Sequence, residues 1–336
     1  MQNIKENGLS RRSFLKTTGL GVGILAASAP SMALHNTVHT QKGAVATGTL
    51  KNAGLLEHAQ VYEQYATLAN ALELPNMNHS KVLIVLGAVA SLPYPHSVDN
   101  KLLFASLKHL AMQGIQAKDI TIAYSAPHNL ETSSAFFHAA QQAFGAKNNL
   151  PNYINTRDLK EWHSLNLNNA LPTINVLPQA AAADHILYLG QLTDEAGLLT
   201  TPQHVIANVL LEDRSVSQYA DHLDNLIELQ AVFDAVYAKV SLIANNTTRF
   251  IAESLTGKRE TIQVHPGILN MSNSMTSQRI FSQSYFNALM NKPTKRASIA
   301  SELTWLQHGK TRDPLTVQTI ESALAKSGVE LKTIQI

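Results

Sequence analysis

Val82-Leu83-Ile84-Val85-Leu86 is an unbroken apolar run, and Ile120-Thr121-Ile122-Ala123-Tyr124 is a second one further along the chain. Each is the length of a buried strand and too short for a helix of its own. Between them, Asp99 to Gln113 carries Leu103, Leu107 and Leu110 at helical spacing, and Gly114 stands where such a helix stops. Strand, helix and strand in this order imply parallel strands joined by a crossover. The pattern then continues outward. Asn129 to Phe144 reads as a helix ending at Gly145, and 173–177 and 186–189 read as strands. Pro202 to Leu211 and Ser217 to Phe233 read as helices, and 236–244 and 268–271 as further strands. Residues 278–290, 295–308 and 315–327 read as closing helices, followed by a last strand near 331–336. Upstream, residues 53–74 are helical by the recurrence of Val61, Tyr65, Leu68 and Leu72, with Pro75 as the stop. The expected fold class is α/β, a mostly parallel sheet flanked by helices. The polar, irregular segment 148–169 is the place for a smaller second lobe.

Composition excludes several functions. The 336 residues contain no cysteine, which removes disulfide scaffolds, thiolate metal sites and cysteine nucleophiles. A formal charge of +2 gives no electrostatic case for nucleic acid. No apolar run reaches the roughly 18 residues of a membrane span.

The amino terminus carries the most specific motif. Ser10-Arg11-Arg12-Ser13-Phe14-Leu15-Lys16 precedes a short apolar stretch, then Pro30 and Ser31-Met32-Ala33 with small residues at a cleavage site after Ala33. This resembles a twin-arginine export signal, in which Arg11, Arg12, Phe14 and Leu15 would be read by the translocase. The expected organisation is a signal at 1–33, a flexible leader at 34–52 and an α/β domain at 53–336, exported to the periplasm without a membrane anchor. Cleavage removes four of the 26 basic residues (Lys5, Arg11, Arg12, Lys16) and one of the 24 acidic ones (Glu6), leaving a mature charge of about −1. Gly19, Gly21 and Gly23 belong to the signal, since no strand precedes them. His35 and His39, four apart in the leader, read as linker residues, with copper or zinc scavenging by the tail as the alternative.

Gly114-Ile115-Gln116-Ala117-Lys118-Asp119-Ile120, Ala183-Asp184-His185-Ile186-Leu187-Tyr188-Leu189 and Ile206-Ala207-Asn208-Val209-Leu210 occur in this order. With the segment Gly267 to Arg279, they resemble the bacterial family catalogued as domain of unknown function 362, over residues 80–336. The resemblance implies an α/β fold and adds little chemistry. Where that family has Pro-x-Leu-Lys-x-His, this chain has Gly190-Gln191-Leu192-Thr193-Asp194-Glu195. In place of the family's two aspartates it has Ser274 and Arg279. A second likeness joins Ile120-Thr121-Ile122 to Ala126-Pro127-His128. It is similar to the strand and histidine loop of the lactate racemase family, and would make His128 catalytic.

Ligands of open parallel sheets sit beyond the carboxyl ends of the strands. That rule selects His96 after the first strand, His128 after the second, Thr193, Asp194 and Glu195 after 186–189, and Ser272 and Asn273 after 268–271. His96 and His128 suit acid–base work or metal ligation, or are surface histidines among the chain's 14. Asp194 and Glu195 suit a hard cation or an acid–base pair, or open a helix. Ser272 and Asn273 suit an anion, or cap a helix. No Gly-x-Ser-x-Gly elbow or His-Glu-x-x-His pair is present, and no motif names a cofactor. The expected function is binding of a small ligand or a periplasmic protein partner at the strand-end crevice. The alternative is a metal-assisted or acid–base enzyme using His96, His128 and Asp194.

Overall fold

The computed structural model describes residues 43–49, 57–89, 94, 96–131, 134–145, 149–165, 174–195, 198–199, 202–212, 236–253, 261–264, 268–275, 277–278, 281–282 and 330–334. All of them lie in one unit, Gly43–Ile336. The export signal with Arg11, Arg12, Phe14, Leu15 and Ala33 lies outside the described residues. So do His35, His39 and the expected helices 217–233, 295–308 and 315–327.

The protein is α/β. The first half alternates strand and helix: β1 (Ala44–Thr49), α1 (His58–Ala71), β2 (Val82–Leu86), α2 (Asn100–Met112), β3 (Ile120–Tyr124), α3 (Ala135–Phe144) and β4 (Asn152–Asn155). Then come β5 (His163–Leu165), β6 (Ile174–Val176), α4 (Pro178–Ala182), β7 (His185–Glu195), β8 (Leu198–Leu199) and α5 (Pro202–Leu210). The rest is β9 (Val240–Glu253), β10 (Thr261–Val264), β11 (Ile268–Ser272) and β12 (Glu330–Ile334). The main sheet runs β12-β1-β11-β9-β7-β2-β3-β4. Every junction is parallel except the two that β11 makes, with β1 and with β9.

Burial explains the central strands. All five residues of β2 are buried, as a strand flanked on both edges and covered on both faces requires. Ile84 and Leu86 face α1, α2 and α3, while Leu83 and Val85 face α4 and α5. α2 starts at Asp99, whose carboxylate accepts the Lys101 N–H at 2.9 Å. It buries Leu102, Leu103, Leu107 and Leu110, each contributing about 1.5–3 kcal/mol of transfer free energy. Gly114 ends it in the left-handed region at φ 85°. Gly114→Ala is therefore expected to cost about 1 kcal/mol in urea unfolding, with an unchanged m-value.

Three expectations need correction. Residues 44–49, assigned to the flexible leader, form β1, inserted between β12 and β11. Its small residues let two strands and α1 close on it, with Ala44 and Ala46 buried against the helices. The middle segment supplies the edge strand β4 and β5, which pairs with β6 in a two-stranded sheet; the described residues there form no separate lobe. The strand expected at 236–244 begins at 240 and runs on to 253. It then turns back, so that β10 and β11 both pair with it antiparallel.

Candidate functional site at the sheet switch point

The parallel core of the sheet is wound in two directions from its middle. β2, β3 and β4 step one way, with α2 and α3 on one face. β7 and β9 step the other way, with α4 and α5 on the opposite face. The seam between β2 and β7 is therefore the point where the winding reverses, the place at which open parallel sheets bind ligands.

A glycine stands on each side of the seam there, one after β2 and the other, Gly190, inside β7. Gly87 comes directly after β2, and its N–H donates to the Leu189 carbonyl at 2.8 Å. A methyl group on Gly87 would lie 3.1 Å from the Gly190 Cα and 3.2 Å from the Tyr188 hydroxyl. A methyl on Gly190 would collide outright with the Tyr188 phenol. The two glycines thus leave the space into which the Tyr188 hydroxyl projects. Tyr188 is otherwise buried, and that burial raises its pKa.

A polar group stands beside them on the α1–α3 face. Asn246 Nδ2 donates to Asp99 Oδ2 at 2.6 Å. Tyr94 reaches back from the β2 loop, its hydroxyl 3.1 Å from the Asn246 carbonyl oxygen and 3.2 Å from Asn246 Oδ1. The loop is closed at its base by Val98 N–H to the Ala88 carbonyl at 2.7 Å. Gln191, buried, is the cross-strand partner of Asn246. Burial raises the pKa of Asp99; the Lys101 N–H, the Lys101 charge, Asn246 and His58 oppose it without cancelling it. Tyr94, Asp99, Asn246 and Gln191 thus gather a phenol, a carboxyl and two primary amides on the α1–α3 face of β7 and β9.

The sequence-derived residues divide by edge. His96 and His128 are exposed, on the loops that follow β2 and β3 at this same carboxyl edge. The His128 loop is anchored on either side: Asn155 bonds the Ala126 N–H and carbonyl, and the Tyr124 hydroxyl accepts the Leu130 N–H at 2.9 Å. Thr193, Asp194 and Glu195 do not open a helix. They are the end of β7, where Asp194 and Glu195 pair with β8.

Ser272 and Asn273 lie at the other edge, because β11 runs antiparallel and its last residue, Ser272, pairs with Ile243 near the start of β9. They act there as ties. Ser272 Oγ lies 2.8 Å from the Ala44 carbonyl, and Asn273 Oδ1 accepts the Ala44 N–H at 3.0 Å. The same amino edge holds a clasp: Lys239 Nζ donates to the Ala180 and Ala181 carbonyls, and Asp184 accepts the Lys81 N–H. Among the described residues, no group of three or more His, Asp or Glu side chains is placed to hold a metal ion. No described helix is long and apolar enough to cross a membrane.

Asp99, Tyr94, Asn246 and the Gly87–Gly190–Tyr188 group escaped sequence reading. The available signal was a glycine directly after each of two apolar strand runs, and the pair Asn245-Asn246 interrupting a third.

No family model matches the chain, and no curated protein matches it. Seven chains of solved structures match. Among them is the lactate racemase apoprotein from Thermoanaerobacterium thermosaccharolyticum, at 12% identity and a TM-score of 0.38. The match covers 72% of this chain and 56% of that one, little more than half its length.

Proposed function

We propose that the chain is an exported α/β protein that binds a small polar ligand in a crevice at the carboxyl end of β2, beside Gly190 of β7. The observation that carries this reading is the close approach of Gly87 and Gly190, which leaves the Tyr188 hydroxyl facing the switch point. Asp99, Asn246 and Tyr94 add donors and acceptors on the α1–α3 face of the adjoining strands. A binding site on an open parallel sheet needs such a set: few polar groups, held rigidly, where the loops part. Export rests on the twin-arginine motif at Arg11 and Arg12, with the translocase as its partner during transit.

The exposed His96 and His128 on loops of the same edge favour a second reading, acid–base or metal-assisted catalysis with Asp194. Native mass spectrometry with elemental analysis of protein exported by its own signal and purified gently separates the outcomes. The binding reading expects a small-molecule adduct at one per chain. A stoichiometric metal instead would favour the catalytic reading. A clean apo-mass from freshly released protein would count against both, and would turn attention to a protein partner.

A further inference from the structure

Thr47, Asn270, Asn245 and Gly190 stand opposite one another on four successive strands, β1, β11, β9 and β7. Their strand neighbours Ala46, Leu269, Met271, Ala244 and Leu189 all belong to the α1–α3 face. Alternation therefore puts the row on the other face. Gln278 covers that row: its Nε2 donates to Asn270 Oδ1 at 2.8 Å and to Ser282 Oγ at 2.9 Å. Asn245 Nδ2 reaches the same Asn270 oxygen at 3.4 Å. Thr47, Asn245, Asn270 and Gln278 are each at most 3% exposed.

Two atoms in this group are left over. Thr47 Oγ1 and Gln278 Oε1 are buried and have no hydrogen-bond partner. Both flank Asn270, Thr47 as its cross-strand partner and Gln278 as its donor. Strands covered on both faces ordinarily carry apolar side chains, and an unmatched buried oxygen is costly. A bound oxygen within reach of both would relieve them, since buried water typically bridges about three such groups. The amide carbonyl of Gln278 only accepts, whereas the Thr47 hydroxyl can donate, so one hydroxyl-bearing molecule can give a proton to the first and take one from the second. No charged side chain belongs to the row, which leaves an ion without a counter-charge there.

We infer that Thr47, Gln278 and Asn270 form a site for a small neutral hydroxyl-bearing molecule. The row ends at Gly190, so the hydroxyl has two sources: a resident water, or a molecule that occupies the crevice. Only the second source rests on the proposed function.

The test is a high-resolution crystal structure of the full chain from polyol-free buffer, a second after a glycerol soak, and the stability of Thr47→Val. The expected result is an oxygen within hydrogen-bond distance of both Thr47 Oγ1 and Gln278 Oε1. Thr47→Val should lower the folded-to-unfolded ratio about tenfold. A separate oxygen in both crystals identifies resident water. An oxygen belonging to glycerol, or to a molecule continuous with the crevice, identifies the ligand source. A dry gap, a direct Thr47–Gln278 hydrogen bond, or a Thr47→Val protein as stable as the parent would each overturn the inference. If the oxygen is present while native mass spectrometry finds no crevice adduct, the proposed function fails and this site stands.

Discussion

Gly190→Ala is expected to destabilise the protein by about 1–3 kcal/mol and to abolish ligand binding at the switch point. The added methyl would overlap the Tyr188 phenol. Tyr188 cannot retreat easily, because its ring is packed among the α4–α5 face residues beneath. Either the phenol rotates out of its rotamer or β7 moves away from β2, and the central parallel ladder through Leu86 and Leu189 resists the second. Gly87→Ala is the internal comparison. Its methyl would meet its neighbours at 3.1–3.3 Å, a tight contact that small shifts relieve, so its cost should be clearly smaller. Urea unfolding of the two variants checks the order. Equal stabilities would show that the glycines are not there to make room for the phenol.

Asp99→Ala should cost about 1–3 kcal/mol, the sum of a lost helix cap and an Asn246 amide left without its acceptor, less the relief of a buried carboxylate. Asp99→Asn isolates the charge. Burial holds the folded-state pKa of Asp99 above its ordinary value of 3.8. The folded protein therefore keeps a proton that the unfolded chain has released, across the window between 3.8 and the raised value. Stability contributed by this group falls as pH rises through that window and is lowest above it. Relative to Asp99→Asn, the parent should gain stability as the pH is lowered through the same window. A stability difference between the two that is flat with pH would contradict this assignment.

Much of the architecture was legible because it rests on burial. β2 and β3 are continuous apolar runs, and α2 has leucines at helical spacing with an aspartate and a glycine at its ends. These signals are local. β1 does not show in the sequence, because Ala-Val-Ala-Thr-Gly-Thr has neither bulk nor a long apolar run. Its place in the sheet depends on partners more than 200 residues away. The direction of β11 is hidden for a related reason. The apolar pattern stops at Ala244, before the polar Asn245-Asn246-Thr247-Thr248, although β9 continues through them. Once β9 reaches Glu253, only seven residues separate it from β10, enough for a hairpin and too few for a parallel crossover. That reversal carries Ser272 and Asn273 to the edge away from the crevice. His96 and His128 fall on the edge the strand-end rule gives them, because they follow parallel strands. Asp99 and Asn246 were hidden by distance: they are 147 residues apart and meet only once β9 has been placed beside β7.

The most direct measurement is native mass spectrometry of three proteins exported and purified side by side: the parent chain, Tyr188→Phe and Asn273→Ala. The parent and Asn273→Ala should carry the same small-molecule adduct, since Asn273 is a tie at the opposite edge of the sheet. Tyr188→Phe should lose most of it while remaining folded. An adduct that survives Tyr188→Phe and disappears with Asn273→Ala would place the binding site elsewhere and contradict the switch-point assignment.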